Sequence, residues 1–119
     1  MTPLELKART KQFALRILKL VAALPKNIEG RAVASQLVRC GTSVAANTVR
    51  HVARGPKAEF VAKMGIVLEE ADETQLWLEL IIEGKLLPSD QIQSLLTEAN
   101  ELVAIFVTSR KSASANLKS

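Results

Sequence analysis

The 119-residue sequence has few aromatic or sulfur-containing side chains: no tyrosine, one tryptophan, three phenylalanines and one cysteine. A single cysteine excludes a disulfide framework and a cysteine-based metal site within one chain. One histidine and no nucleophile motif leave nothing from which a catalytic triad could be built, so we expect no enzymatic activity and no catalytic residue. The scarcity of aromatic residues also argues against a surface on which nucleotide bases stack.

The sequence also shows no pattern typical of a membrane span, a signal peptide or a phosphate-binding loop. No apolar run approaches the roughly 20 residues of a membrane span. The first residues lack the basic, apolar and cleavage regions of a signal peptide, and no glycine-rich phosphate loop is present. We therefore expect a cytoplasmic protein with no membrane partner, no cofactor and no small-molecule substrate.

Acidic residues are absent between Glu29 and Glu59, where the sequence carries five cations. These cations are Arg31, Arg39, Arg50, Arg54 and Lys57. Residues 1–63 hold twelve Lys/Arg against three Asp/Glu, a net of +9, whereas residues 64–109 hold one lysine against nine acids, a net of −8. A charge map of this kind is typical of a nucleic-acid surface or of head-to-tail association of like subunits.

Apolar residues recur at three- and four-residue steps in four segments, each of which predicts a helix. The helices are expected between Thr2 and Pro25, from about Gly30 to Ala53, from about Pro56 to Glu83, and from Pro88 or Ser89 onward. Thr2 and Glu5 resemble a capping box, and Gly84 is the expected left-handed C-cap of the third helix. Short connections imply an all-α, antiparallel up-down-up-down four-helix bundle. We expect one domain at residues 1–110 and a flexible tail at residues 111–119.

The third helix carries a second apolar strip in addition to its main stripe. Its members lie among the glutamates, away from the main stripe: Ile66, Leu76, Trp77 and Leu80. In so small a bundle the core can bury only one apolar stripe of this helix, and the second strip would be exposed to water in a monomer. We therefore interpret it as an oligomer interface. Trp77 belongs either to the core or to this interface, and its position off the main stripe favours the interface.

Other polar side chains of the helices are candidates for catalytic, hydrogen-bonding or metal sites. Cys40 lies on the apolar stripe of the second helix and is expected to be a small buried hydrophobe. Asn47 is expected to hydrogen-bond across a helix or subunit interface, with Ser43 or Thr74, rather than to act in catalysis. The acidic run at residues 69–73 could be imagined as a metal site, but a carboxylate site in a bundle would need inward-facing Glu-x-x-His motifs. His51 is on another helix and is expected to be a surface or interface residue, so we expect no metal.

Three segments match a known pattern in order, spacing and residue type. They are Ser35-Gln-Leu-Val-Arg-Cys-Gly-Thr-Ser-Val-Ala-Ala-Asn47, Lys57-Ala-Glu-Phe60 and Glu69-Glu-Ala-Asp-Glu-Thr-Gln-Leu-Trp-Leu-Glu-Leu80. Over roughly residues 8–108 the sequence resembles the bacterial four-helix bundle proteins related to 23S rRNA intervening-sequence proteins. The resemblance implies a single antiparallel bundle and assembly into a ring-like homopentamer. Some genes of this family lie within insertions in 23S rRNA genes, which implies a connection with RNA.

The function expected from these observations is a non-enzymatic, homopentameric scaffold or adaptor that binds RNA or a ribonucleoprotein. Its basic surface would be formed by the five cations of residues 31–57, because arginine side chains suit phosphate oxygens. The alternative is a protein–protein interaction module with no nucleic-acid role, whose basic and acidic faces pair between subunits.

Overall fold

The computed structural model describes the backbone of residues 1–51 and 57–118 and the side chains of residues 1–48 and 58–115. Four helices follow one another along the chain: α1 (Pro3–Ala23), α2 (Ile28–His51), α3 (Lys57–Glu83) and α4 (Ser89–Lys118). Consecutive helices pack together and α1 also contacts α4, whereas α1 and α3 share no contact within the described residues. The molecule is therefore the predicted all-α four-helix bundle, 51 × 22 × 20 Å in extent, with α1 and α3 at diagonal corners.

The first helix begins as its sequence predicts. The Thr2 hydroxyl accepts a hydrogen bond from the backbone N–H of Glu5 at 3.1 Å and donates to the Glu5 carboxylate at the same distance. Pro3 occupies the first helical position, where no N–H is needed. The helix ends at Ala23, before Pro25, because proline cannot continue the backbone hydrogen bonding.

The second helix begins at Ile28, two residues before the predicted start at Gly30. The signal that was missed is Asn27, whose side-chain oxygen accepts a hydrogen bond from the backbone N–H of Gly30 at 2.8 Å and caps the helix. Gly30 does not begin the helix but allows a close backbone contact, because a Cβ atom there would lie 1.9 Å from the carbonyl oxygen of Pro25. Only glycine allows the chain to turn back this tightly after α1.

The third helix ends at Glu83 as predicted, but the left-handed residue that follows it is Lys85 (φ 56°), so the assignment of Gly84 was wrong. The backbone N–H of Lys85 bonds to the carbonyl of Ile82, and that of Leu86 bonds to the carbonyl of Ile81. These two bonds form a Schellman motif with Lys85 at its left-handed position. The partly buried Leu86 thereby returns to the core beside Ile81.

The core is formed by the predicted apolar stripes. All four helices contribute side chains that are almost fully buried: Phe13 and Ile17 of α1, Leu37, Cys40 and Val44 of α2, Met64, Val67, Leu78 and Ile81 of α3, and Ile92, Leu102 and Phe106 of α4. On α2 a small residue at this interface allows a close approach, since Gly41 packs directly against Ile17.

Three threonines are fully buried within this core, and each satisfies its hydroxyl inside its own helix. Thr10 donates to the carbonyl of Leu6 at 3.0 Å, Thr48 to that of Val44 at 2.6 Å, and Thr74 to that of Glu70 at 2.8 Å. Burying these hydroxyls therefore leaves no donor unpaired and requires no partner on another helix.

The fourth helix begins at Ser89 as predicted and continues to Lys118, through the segment expected to be a tail. Ala113, within that segment, is buried. Residues 111–118 are thus helical, and the flexibility of residues 111–119 stays a prediction. Within residues 1–51 and 57–118, no helix is long and apolar enough to cross a membrane.

Candidate nucleic-acid and subunit interfaces

The outward face of α2 carries the described members of the predicted basic set. Arg31 is exposed, and Arg39 lies on the same side eight residues later, which is about 12 Å along a helix. The exposed side chains between and beyond them are small, including Ala32, Ser35 and Ala46. After Glu29, α2 itself carries no acidic residue.

Arg39 is paired within the chain. Its guanidinium forms a salt bridge with Glu73 of α3 and also donates to the side-chain oxygen of Gln36 at 3.2 Å. The Arg39 side chain is nevertheless 53% exposed, and both bonds use only its Nη2 nitrogen. Because a guanidinium has five N–H donors, donors remain for a further oxygen.

The other predicted cations fall partly outside the described residues. The backbone of Arg50 is in α2 and that of Lys57 begins α3, but their side chains are outside the described set. Arg54 lies in the undescribed stretch of residues 52–56. Their predicted contacts with phosphate stay predictions.

A polar seam joins α2 to α3 beside this basic face. Asn47 donates to the Glu70 carboxylate at 2.8 Å, so its predicted bond across a helix interface exists, with Glu70 as the partner instead of Ser43 or Thr74.

The side chain of Cys40 is fully buried, as predicted, with its Sγ 3.7 Å from the carbonyl oxygen of Leu37. Burial is the main reason that the pKa of the Cys40 thiol is raised.

Three of the four predicted interface residues are exposed on the outward face of α3. Ile66, Leu76 and Leu80 are between 42% and 50% exposed, although all three are large and apolar. Glu59 is exposed near the start of α3, and four further acidic side chains are exposed between Ile66 and the end of the helix: Glu69, Asp72, Glu79 and Glu83. We name the three apolar residues and these four further acidic residues the α3 face.

Trp77 differs from these three residues. Its ring is partly buried and packs against the core, and its indole Nε1 is buried without a hydrogen-bond partner among the described residues. A buried indole N–H usually finds a partner. The predicted role of Trp77 as an interface anchor stays a prediction.

A corresponding apolar strip on α1 was not predicted. Leu4, Leu15 and Leu18 are between 45% and 77% exposed, and Lys7, Lys11 and Lys19 are exposed on the same helix. We name these six residues the α1 face. The signal was available in the sequence, since Leu15 and Leu18 fall opposite the core residues Phe13 and Ile17 at 100° per residue.

The two arginines of α1, Arg9 and Arg16, link this helix to α4 and belong to neither face. Nε and Nη2 of Arg9 each donate to Glu98 at 2.7 Å, and Nη2 also lies 3.5 Å from Glu101. This hydrogen bonding lowers the pKa of Glu98 and raises that of Arg9. Arg16 donates to the Ser94 hydroxyl of α4 at 2.9 Å, so α1 and α4 are joined by polar contacts along their shared edge.

Among the described side chains, no three His, Cys, Asp or Glu residues come together in a group that could hold a metal ion. The acidic side chains of residues 69–73 on α3 instead have different surroundings. Glu70 bonds Asn47 and Glu73 bonds Arg39, while Glu69 and Asp72 are exposed.

These features define a class of protein: a small antiparallel helical bundle whose first two helices are basic and whose third is acidic. The chain matches the family model of the 23S rRNA-intervening sequence protein over residues 2–108, and it belongs to that family. It is also similar to a crystal structure from Bacteroides thetaiotaomicron VPI-5482, a protein with unknown function from the S23 ribosomal protein family. The two are 30% identical, with a TM-score of 0.82 over 89% of this chain and 98% of that one. No curated protein matches the sequence.

Proposed function

We propose that the protein is a non-enzymatic, cytoplasmic scaffold that assembles as a homopentamer and binds RNA or a ribonucleoprotein through the outward face of α2. The observation that carries the proposal is the composition of that face. Arg31 and Arg39 project from it, small side chains separate them, and α2 has no carboxylate after Glu29. A phosphate backbone that approaches α2 meets no carboxylate of that helix after Glu29, and the carboxylate of α3 bonded to this face, Glu73, leaves further N–H donors of Arg39 free.

The length of the face suits several phosphates. Positions 31 and 50 are nineteen residues apart on one helix, which is about 28 Å at 1.5 Å per residue. Each phosphate that a cation neutralises releases counterions, so affinity should fall steeply as salt rises. In a pentamer, five such faces would act together, and their combined affinity would exceed that of one face. The family's association with 23S rRNA intervening sequences is a further reason to prefer RNA as the partner.

The test combines the mass of the assembly with binding of a short structured RNA at about 50 and about 200 mM salt. Five copies of the 12.9 kDa chain give a mass of about 65 kDa. The double variant Arg31→Glu with Arg50→Glu should weaken RNA binding and reduce the salt slope by about two units. Lys85→Glu with Lys111→Glu changes the net charge by the same amount at two exposed positions outside α2 and is the matched control.

Two results would reject the proposal. One is a wild-type protein that binds RNA at low salt no better than an unrelated protein of the same net charge. The other is equal RNA binding by the double variant and the control, since binding would then not depend on α2.

The second candidate is a protein-interaction module with no nucleic-acid role. The salt bridge between Arg39 and Glu73 favours it, because that bridge compensates one charge of the basic face within the chain. This candidate predicts an assembly that ignores RNA at every salt concentration and forms complexes with protein partners only.

A further inference from the structure

The exposed apolar side chains of this protein are concentrated on two helices. Within the described side chains, the large hydrophobic residues with high exposure are Met1, Leu4, Leu15, Leu18, Ile28, Ile66, Leu76 and Leu80. All but two of these lie on α1 or α3, and those two, Met1 and Ile28, stand just before α1 and at the first position of α2. Isolated exposed hydrophobic residues are normal in soluble proteins, but a strip confined to one helix face indicates a contact surface.

The two strips carry opposite charges. The exposed lysines at positions 7, 11 and 19 accompany the leucines of the α1 face, and four exposed carboxylates accompany the apolar residues of the α3 face. Within the chain these faces cannot meet, because α1 and α3 lie at diagonal corners and do not contact each other. Within the described residues, therefore, neither face can cover the other.

We infer that the α1 face of one subunit docks on the α3 face of a second copy of this chain. The inference rests on the self-association in the proposed function and specifies the surfaces that produce it. The two faces are complementary in two ways. Each carries an apolar strip that the contact would remove from water, and the charges beside the two strips are opposite in sign. Pairing α1 with α1 would bring lysines together, and pairing α3 with α3 would bring carboxylates together, which is unfavourable in both cases.

The dimensions of the two helices allow this contact. With 21 residues, α1 is about 31 Å long, and α3 with 27 residues is about 40 Å long, so α1 can lie along α3 for its whole length. The face of α2 that is proposed to bind RNA takes no part in this contact. Self-association and RNA binding would therefore use different helices.

The interface is heterologous, because two different surfaces meet, and this property gives a decisive experiment. One variant disables the α1 face with Leu15→Gln and Leu18→Gln, and another disables the α3 face with Leu76→Gln and Leu80→Gln. All four leucines are between 42% and 50% exposed, so glutamine should leave the fold intact. The control is Ile28→Gln, which replaces an 84% exposed side chain that belongs to neither face.

The masses of the separate and mixed variants, measured by light scattering, test the inference. Each double variant alone should be a monomer, and the Ile28→Gln protein should keep the wild-type mass. An equimolar mixture of the two double variants should form a one-to-one dimer of about 26 kDa, because one intact α1 face and one intact α3 face remain. A mixture that stays monomeric, or a double variant that still self-associates, would overturn the inference.

A charge exchange provides the second measurement. Lys11→Glu with Lys19→Glu should weaken assembly at least tenfold, and adding Glu69→Lys with Glu83→Lys to the same chain should restore it. Failure of the restoration would count against pairing of α1 with α3. A wild-type protein that is itself monomeric would reject the pentamer, whereas a wild-type oligomer unaffected by these variants would reject only the pairing of faces.

Discussion

Gly41 of α2 lies directly against Ile17 of α1: a Cβ atom at position 41 would be 3.0 Å from Cγ1 of Ile17 and 3.1 Å from its Cγ2. Ile17 is fully buried and branched at Cβ, so it has little freedom to move aside. The absence of a side chain at position 41 therefore sets how closely α1 and α2 approach.

This contact predicts opposite effects of alanine at two helical glycines. Gly41→Ala should lower the free energy of unfolding by about 1 kcal/mol, since overpacking costs about 1–3 kcal/mol and outweighs the gain of about 1 kcal/mol in helix propensity. At Gly65 the nearest atoms belong to the end of the flexible Arg110 side chain. Gly65→Ala should therefore raise stability by up to about 1 kcal/mol. Urea unfolding of both variants measures the difference, and stabilisation by Gly41→Ala would show that the helices separate readily.

The left-handed conformation of Lys85 predicts a stabilising substitution. A residue with a Cβ pays about 1 kcal/mol or more in this conformation, and glycine avoids that cost. Lys85→Gly should raise the free energy of unfolding by about 0.5–1 kcal/mol, while the control Lys85→Ala should give no such gain because alanine keeps the Cβ. Thermal unfolding of the three proteins provides the measurement. Equal stabilisation by alanine and glycine would mean that the lysine charge was the cause.

The pair of Arg9 and Glu98 predicts a dependence of stability on pH. Hydrogen bonding to Arg9 places the pKa of Glu98 below its ordinary value, so the folded protein binds this proton less readily than the unfolded chain does. The pair therefore stabilises the fold above the unfolded pKa of about 4.3 and loses its effect as pH falls through the lower folded pKa.

Glu98→Gln should accordingly destabilise the protein by about 0.5–1 kcal/mol at pH 7, and the difference from wild type should shrink as the pH falls below about 4. Glu101→Gln should have a smaller effect, because Glu101 is more exposed and lies 3.5 Å from Arg9. Unfolding midpoints recorded across this pH range test the prediction. A difference between Glu98→Gln and wild type that does not change with pH would contradict it.

Burial of Cys40 predicts slow modification of its thiol. The side chain is fully buried, and burial raises its pKa, so the reactive thiolate should be scarce in the folded protein at pH 8. A chromogenic disulfide reagent should therefore react at the rate at which the protein opens, and immediately in guanidinium chloride. Rapid reaction of the native protein would place Cys40 at an accessible surface.

Much of the fold could be predicted because it depends on local patterns. The core stripe of α2 is visible in the spacing of Leu37, Cys40 and Val44, and Pro25 ends α1 by its own chemistry. The turn after α3 could not be predicted in this way. The choice of Lys85 over Gly84 as the left-handed residue depends on where Leu86 can return to the core, which is a property of the packed bundle.

The candidate surfaces were predictable to a smaller extent. Arg31 and Leu76 are exposed, as a basic surface and a second apolar strip require, while their predicted contacts with RNA and with another subunit stay predictions. The bonds of Arg39 to Glu73 and of Asn47 to Glu70 depend on how α2 and α3 are aligned along their axes. Periodicity within one helix carries no information about that alignment.

The buried threonines bear on how the sequence can change over evolutionary time. Because Thr10 and Thr48 each bond to a carbonyl of their own helix, replacement by valine would remove a hydroxyl without stranding a partner elsewhere, whereas the Thr74 hydroxyl of α3 also interacts with the Cys40 thiol of α2. Substitutions at positions 10 and 48 can be accepted singly, with no compensating change on a neighbouring helix. Thr10 and Thr48 are therefore expected to vary independently of the neighbouring helices, whereas Asn47 and Glu70 are expected to vary together.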